Sequence, residues 1–107
     1  MDMNGPERKS LAQSLPAEDF LIHVATEIEN QLKEWNSDYE VMVMKLQNYI
    51  FVVKYQDEYY ELAFNENNLK ILQKKDPYEL DRMIWKDLES KGIAIVRGNG
   101  SYIDMIM

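Results

Sequence analysis

A chain of 107 residues with 46% hydrophobic content is sized for one domain around a single modest core. It has no cysteine, which excludes disulfides, thiolate metal sites and a cysteine nucleophile. A net charge of −7 opposes binding to phosphate backbones, and no run of about 18 apolar residues is present to span a membrane. These features fit a cytoplasmic protein.

Residues 1–13 are polar and lack the apolar stretch of a secretory signal. They read as a flexible tail ahead of a single domain at 14–107. The first helix is expected from about Pro16 to Asn36. Leu21, Val24, Ile28, Leu32 and Trp35 recur there at three- and four-residue steps and form one apolar stripe. Pro16 stands at the start, and Glu18 and Asp19 favour the positive end of the helix dipole. Between Ala17 and Glu40 seven acids face one base, Lys33. This helix therefore carries most of the excess negative charge.

Three strands follow, at Glu40–Leu46, Tyr49–Tyr55 and Glu58–Phe64. The connections Gln47-Asn48 and Gln56-Asp57 suit tight hairpins. Two-residue turns pair Met44 with Phe51, Met42 with Val53, Val53 with Tyr60 and Phe51 with Leu62. Paired residues share a face. One face is then almost wholly apolar or aromatic and is expected to face the core: Met42, Met44, Leu46, Tyr49, Phe51, Val53, Tyr55, Tyr60, Leu62 and Phe64. The other is mixed, with Val41, Val43, Ile50, Val52 and Tyr59 among Lys45, Lys54 and Glu61. A four-residue loop would keep the same faces, and a three-residue loop would flip them.

Asn65-Glu66-Asn67-Asn68 reads as a turn and Leu69–Leu72 as a short fourth strand. Asp76-Pro77-Tyr78-Glu79 has the signature of a helix start. Leu80, Met83, Ile84 and Leu88 supply that helix's stripe, and Lys91-Gly92 its end. Ile93–Arg97 and Tyr102–Ile106 read as a last hairpin around Gly98-Asn99-Gly100. The expected fold is α+β, in the order α-β-β-β-β-α-β-β: an antiparallel meander of about four strands plus a C-terminal β-hairpin, with two helices on one sheet face.

Little in the chain points to chemistry. The single histidine, His23, precedes Glu27 by one helical turn, but a catalytic zinc site takes three protein ligands. The acidic pairs Glu18/Asp19, Asp57/Glu58 and Asp87/Glu89 lie on helix surfaces or at turns, where solvated charge is the ordinary state. Arg97-Gly98-Asn99-Gly100 lacks the spacing of a phosphate loop. Helix, three strands, helix is also the order of a double-stranded-RNA-binding domain, yet the second helix starts on acids where such a domain needs bases. No catalytic, cofactor-binding or metal-binding residue is assigned, and no cofactor is expected.

Coverage carries the functional expectation. Five or six strands span roughly 25 Å, and two helices cover roughly 20 Å of one face. The second face has nothing left to cover it. Antiparallel sheets do leave one face wet, but an aliphatic centre at Val41, Val43, Ile50, Val52 and Tyr59 suits an interface. A small acidic non-enzymatic binding module is expected (an adaptor, chaperone-like or regulatory protein), with a homodimer through this face as one form. The order of elements is similar to that of the small acidic chaperones of bacterial type III secretion, which dimerise. The alternative is an acidic antagonist that mimics nucleic acid and occupies a basic site on a target through Glu27, Glu29 and Glu34.

Overall fold

The structure, a computed structural model, describes residues 5–96 and 102–106. Helix α1 (Gly5–Ser14) leads into the long helix α2 (Ala17–Trp35). Strands β1 (Tyr39–Lys45), β2 (Tyr49–Tyr55) and β3 (Glu58–Phe64) follow as an antiparallel sheet in the order β1-β2-β3. Helices α3 (Glu66–Lys75), α4 (Glu79–Ser90) and α5 (Tyr102–Ile106) complete the described chain. The fold is α+β, with the helices gathered on one side of the sheet.

The apolar stripe of α2 forms the centre of the core. Leu21, Val24, Ile28 and Leu32 have no exposed surface. They meet Phe51 and Val53 of β2 and Ile84, Trp85 and Leu88 of α4 in one cluster. Each such side chain contributes about 1.5–3 kcal/mol of transfer free energy. Trp35 closes the stripe by meeting the Trp85 ring edge-on, centroids 5.7 Å apart. The chain leaves α2 at Asn36, whose amide donates to the Leu32 carbonyl at 2.9 Å. Its side chain takes the Asp38 amide at 2.9 Å.

Helix α4 closes at Gly92 as its sequence indicates but opens later than read: Pro77 and Tyr78 form a turn, and the helix begins at Glu79 with no side-chain cap. The Asp76 carboxylate accepts the Tyr78 amide at 2.8 Å, one turn ahead of the helix. At the far end Gly92 adopts φ +106°, which turns the chain so that the Ile93 amide donates back to the Leu88 carbonyl at 3.1 Å. Leu80, Ile84, Trp85 and Leu88 point inward, whereas Met83 is exposed.

Four expectations are corrected. Residues 5–13 are not a loose tail: α1 is a helix, and its Arg8 is 1% exposed. Residues 1–4 lie outside the described residues. Leu69–Leu72 belongs to α3 rather than to a fourth strand. The Asn65 side chain accepts the Asn68 amide at 2.7 Å and starts a helix there. The C-terminal hairpin is absent among the described residues: 93–96 form no strand, and Tyr102–Ile106 is a helix that buries Ile103 and Ile106. Its expected turn, Gly98-Asn99-Gly100, lies outside the described residues. The element order therefore departs from that of the secretion chaperones.

The fourth correction is one of register. β2 and β3 pair as expected, with Val53 opposite Tyr60 and Phe51 opposite Leu62. β1 and β2 are joined by three residues instead of two, so Lys45 faces Tyr49, Val43 faces Phe51 and Val41 faces Val53. The Leu46 amide donates to the Asn48 carbonyl at 2.9 Å and fixes that loop. A one-residue slip exchanges the two faces of a strand. Val41 and Val43 thus turn toward the helices, where they pack on the core half-buried. Met42 and Met44 turn away from it.

Candidate functional site

The face of the sheet away from the helices carries Met42 and Met44 from β1, Ile50 and Val52 from β2, and Tyr59 and Ala63 from β3. Register sets Val52 between Met42 and Glu61 at the centre of the sheet. Its neighbours cover it, leaving 2% exposed. Met42, Met44 and Tyr59 stand outermost and exposed, and none of the six apolar residues belongs to the helix-packed core. Lys54 lies 6.0 Å from the Tyr59 ring centroid and covers one side of it. Leu46, at the hairpin tip, extends the apolar surface.

This geometry divides the residues expected at the interface. Ile50, Val52 and Tyr59 share the outer face. Val41 and Val43 do not, because the register turns them inward. Met42 and Met44, expected in the core, take their places. The change replaces stiff β-branched side chains with flexible thioethers, which adapt to varied partners.

The acidic set of α2 is also divided. Glu27 accepts a hydrogen bond from Arg8 and lies 3.6 Å from His23. Glu29 accepts the Val41 amide at 3.1 Å and pairs with Lys33 at 3.7 Å. Glu34 remains exposed. Two of the three carboxylates thus serve the fold. Among the described residues, no group of three His, Asp or Glu side chains is placed to hold a metal ion.

The concentration of buried polar chemistry lies elsewhere, around Arg8 of α1 and Asp81 of α4. Arg8 donates through Nη1 to Asp81 Oδ1 at 2.5 Å and through Nη2 to Oδ2 at 3.1 Å. Nη1 also reaches the Pro77 carbonyl at 3.0 Å, and Nη2 reaches Glu27 of α2. The Tyr102 hydroxyl of α5 donates to Asp81 Oδ2 at 2.5 Å, and Trp85 Nε1 donates to that hydroxyl at 3.2 Å. The guanidinium lies 4.5 Å from the Tyr78 ring centroid. One carboxylate thereby ties together the first, fourth and fifth helices, with the second joined through Glu27.

The environment decides the charge states. Burial works against a charged guanidinium, but the bonds and charge of Asp81, then of Glu27, outweigh it and hold the Arg8 pKa above its ordinary value. Burial raises the Asp81 carboxyl, while Arg8 and then Tyr102 pull it back. Burial, and next the Asp81 charge, push the Tyr102 hydroxyl well above the usual tyrosine value, so it remains a donor. Both oxygens of the buried carboxylate face donors of this chain, an arrangement suited to holding helices together.

Asp81 had a readable signal in the sequence. It precedes Ile84, Trp85 and Leu88 by three, four and seven positions and so belongs to the buried stripe of α4. Arg8 carried none, because an arginine in a polar segment reads as solvated. No protein-family model matches the chain, and neither the curated proteins nor the solved structures yield a match. Among the described residues, no helix is long and apolar enough to cross a membrane.

Proposed function

We propose that the protein is a small, acidic, non-enzymatic protein-binding module that engages its partner through the outer face of its sheet. The partner is a second copy of the chain or another protein. One observation carries the reading: Met42, Met44 and Tyr59 stand exposed over Ile50 and Val52, with no described helix covering them. Aliphatic Ile50 and Val52 on the central strand, flanked by Met42 and Met44 on one edge strand and by Tyr59 and the charged Glu61 on the other, give an apolar centre with a mixed margin, the usual anatomy of an interface. A chain without cysteine needs no oxidising compartment, which supports a cytoplasmic setting. The acidic-antagonist reading loses support because Glu27 and Glu29 are engaged within the fold.

Absolute mass across a concentration series tests the self-associating form. The expected result is a species of about twice 12.7 kDa that reverts to the monomer in Met44→Asp. Met44 is exposed, so the variant retains the fold. A dimer that survives the substitution overturns the assignment of this face. A monomer at every concentration directs the reading to another protein, and a photo-crosslinking residue at position 44 then captures it. Crosslinks that persist when Val52 is replaced by Asp count against the face.

A further inference from the structure

The two edges of the sheet differ. On β1 the outward amide of Val41 is taken by the Glu29 carboxylate of α2, so a side chain of the chain itself occupies that edge. The same bond sets the phase of the ladder. In an antiparallel sheet alternate residues turn both their N–H and C=O to the same side. With Val41 outward, Met42 and Val52 exchange the bonds between β1 and β2. Across β3 the residues turned outward are then Tyr59, Glu61 and Ala63. Lys91 Nζ, bonded to the Glu61 carbonyl from outside the sheet, independently gives the same phase. It also closes that end of the edge. The N–H and C=O of Ala63 face outward with no bond from the described residues.

A groove of about 280 Å³ runs beside this open stretch. It is lined by Leu62, Ala63 and Phe64 together with Asn68, Ile71 and Leu72 of α3 and Met83 of α4. Three consecutive strand residues in one lining mark the edge of a strand, since successive side chains point to opposite faces. The opposing wall is apolar apart from Asn68 and is open, with Ile71 64% exposed. On the α4 side the charges favour an acidic end on the occupant. Glu79 and Asp87 are already paired with Lys75 and Lys91. Lys86, one turn from Met83 on α4, has no acidic partner among the described residues. A second copy would set a net charge of −7 against another of −7.

We propose that the open edge of β3 and the groove beside it dock an extended segment of a partner protein, which adds to the sheet as a fourth strand. That segment is apolar at alternate positions and acidic at its ends. In strand addition the main-chain bonds supply affinity, and pockets for alternate side chains supply specificity. The site is distinct from the outer face, sharing only Ala63 with it, so either can fail alone.

The test is titration of the ¹⁵N-labelled full chain with a capped peptide, Glu-Thr-Val-Thr-Val-Thr-Glu, followed by amide shifts and hydrogen exchange. Saturable shifts centred on Leu62–Phe64 and slowed exchange at Ala63 are expected. Ala63→Pro removes the outward N–H and leaves the ladder to β2 intact, since proline is accepted on edge strands. It should weaken binding at least tenfold, as should replacing both terminal acids of the peptide by Lys. Ile71→Asp, at an exposed position, should do the same and carries the test if the proline variant does not fold. Equal binding by both variants overturns the proposal, as does the absence of shifts at millimolar peptide. Shifts confined to Met42, Met44 and Val52 assign the peptide to the outer face instead. A dimer that Ala63→Pro converts to monomer makes the occupant a second copy and overturns the partner segment.

Discussion

Arg8 and Asp81 are 73 positions apart in sequence and share a two-pronged ion pair among the helices, with Nη1–Oδ1 at 2.5 Å and Nη2–Oδ2 at 3.1 Å. Arg8 is 1% exposed and Asp81 fully buried. Ionised groups that have lost their water depend wholly on the partners that replace it. Among the described residues the pair is the main polar tie between the first helix and α4, and Tyr102 extends it to the C-terminal helix.

Removing one member of this pair should be costly, and removing both far less so. Arg8→Met leaves Asp81 buried without its cation and is expected to destabilise by about 3–5 kcal/mol. Arg8→Met combined with Asp81→Leu should recover a large part of that loss, because no uncompensated charge remains. Urea unfolding of the two single variants and the double variant measures this. Additive losses would show that the two side chains act independently.

Tyr102 gives the chain an alkaline limit. Its hydroxyl stays protonated in the fold well above the ordinary tyrosine value of 10.0, whereas the unfolded chain ionises near that value. Between the two pKa values the native state holds one more proton than the unfolded state. Stability is therefore complete below pH 10 and falls as pH rises above it, by up to about 1.4 kcal/mol per pH unit for this group. Tyr39 and Tyr60, also shifted upward, act in the same direction. Tyr102→Phe should cost about 1–3 kcal/mol at neutral pH through the lost bond to Asp81. It should also make the decline above pH 10 shallower. Thermal melts of both proteins from pH 7 to pH 11.5 provide the comparison, and parallel declines would remove Tyr102 from the account.

Gln73 holds the corner between α1 and α2. Its Nε2 donates to the Ala12 carbonyl at 2.9 Å and to the Leu15 carbonyl at 2.8 Å, satisfying groups that a helix end leaves open. Gln73→Leu keeps the volume and deletes both donors, at an expected cost of about 1–3 kcal/mol. The loss should be local. Amide exchange in α1 should accelerate more than in α2 or β2, and uniform acceleration across the chain would contradict a corner-specific role.

How far the sequence disclosed this structure depended on whether its pattern admitted a single solution. Leu21, Val24, Ile28 and Leu32 allow one helical face, and that face is the core. The β2–β3 turn is short and its register came out as read. β1 had two apolar faces, Val41 and Val43 on one side and Met42 and Met44 on the other, so its alternation could not choose between them. The choice fell to the length of the Leu46–Asn48 loop, and it moved the apolar outer surface onto the methionines. In α3, Leu69, Leu72 and Gln73 have helical spacing, but a four-residue apolar stretch after a polar turn also suits a strand. Arg8 was the least legible. Its burial is a property of Asp81, Glu27 and Pro77, which meet it only once the helices pack.

Two backbone positions make a paired test with opposite signs. Gln56, first of the two residues turning β2 into β3, sits at φ +56°, in the left-handed region that disfavours a side chain. Gln56→Gly removes that penalty, and the flanking pairing of Tyr55 with Glu58 is unchanged in kind. A gain of about 0.5–1 kcal/mol is expected. Gly92 holds φ +106° behind α4, with nothing within 4 Å of where a Cβ would sit. Gly92→Ala therefore meets no steric neighbour, and the whole expected loss of about 1 kcal/mol comes from the backbone. Chemical denaturation of the two variants should shift the midpoint in opposite directions with the same slope. Loss in Gln56→Gly would mean that the glutamine side chain stabilises the hairpin by more than its backbone strain costs.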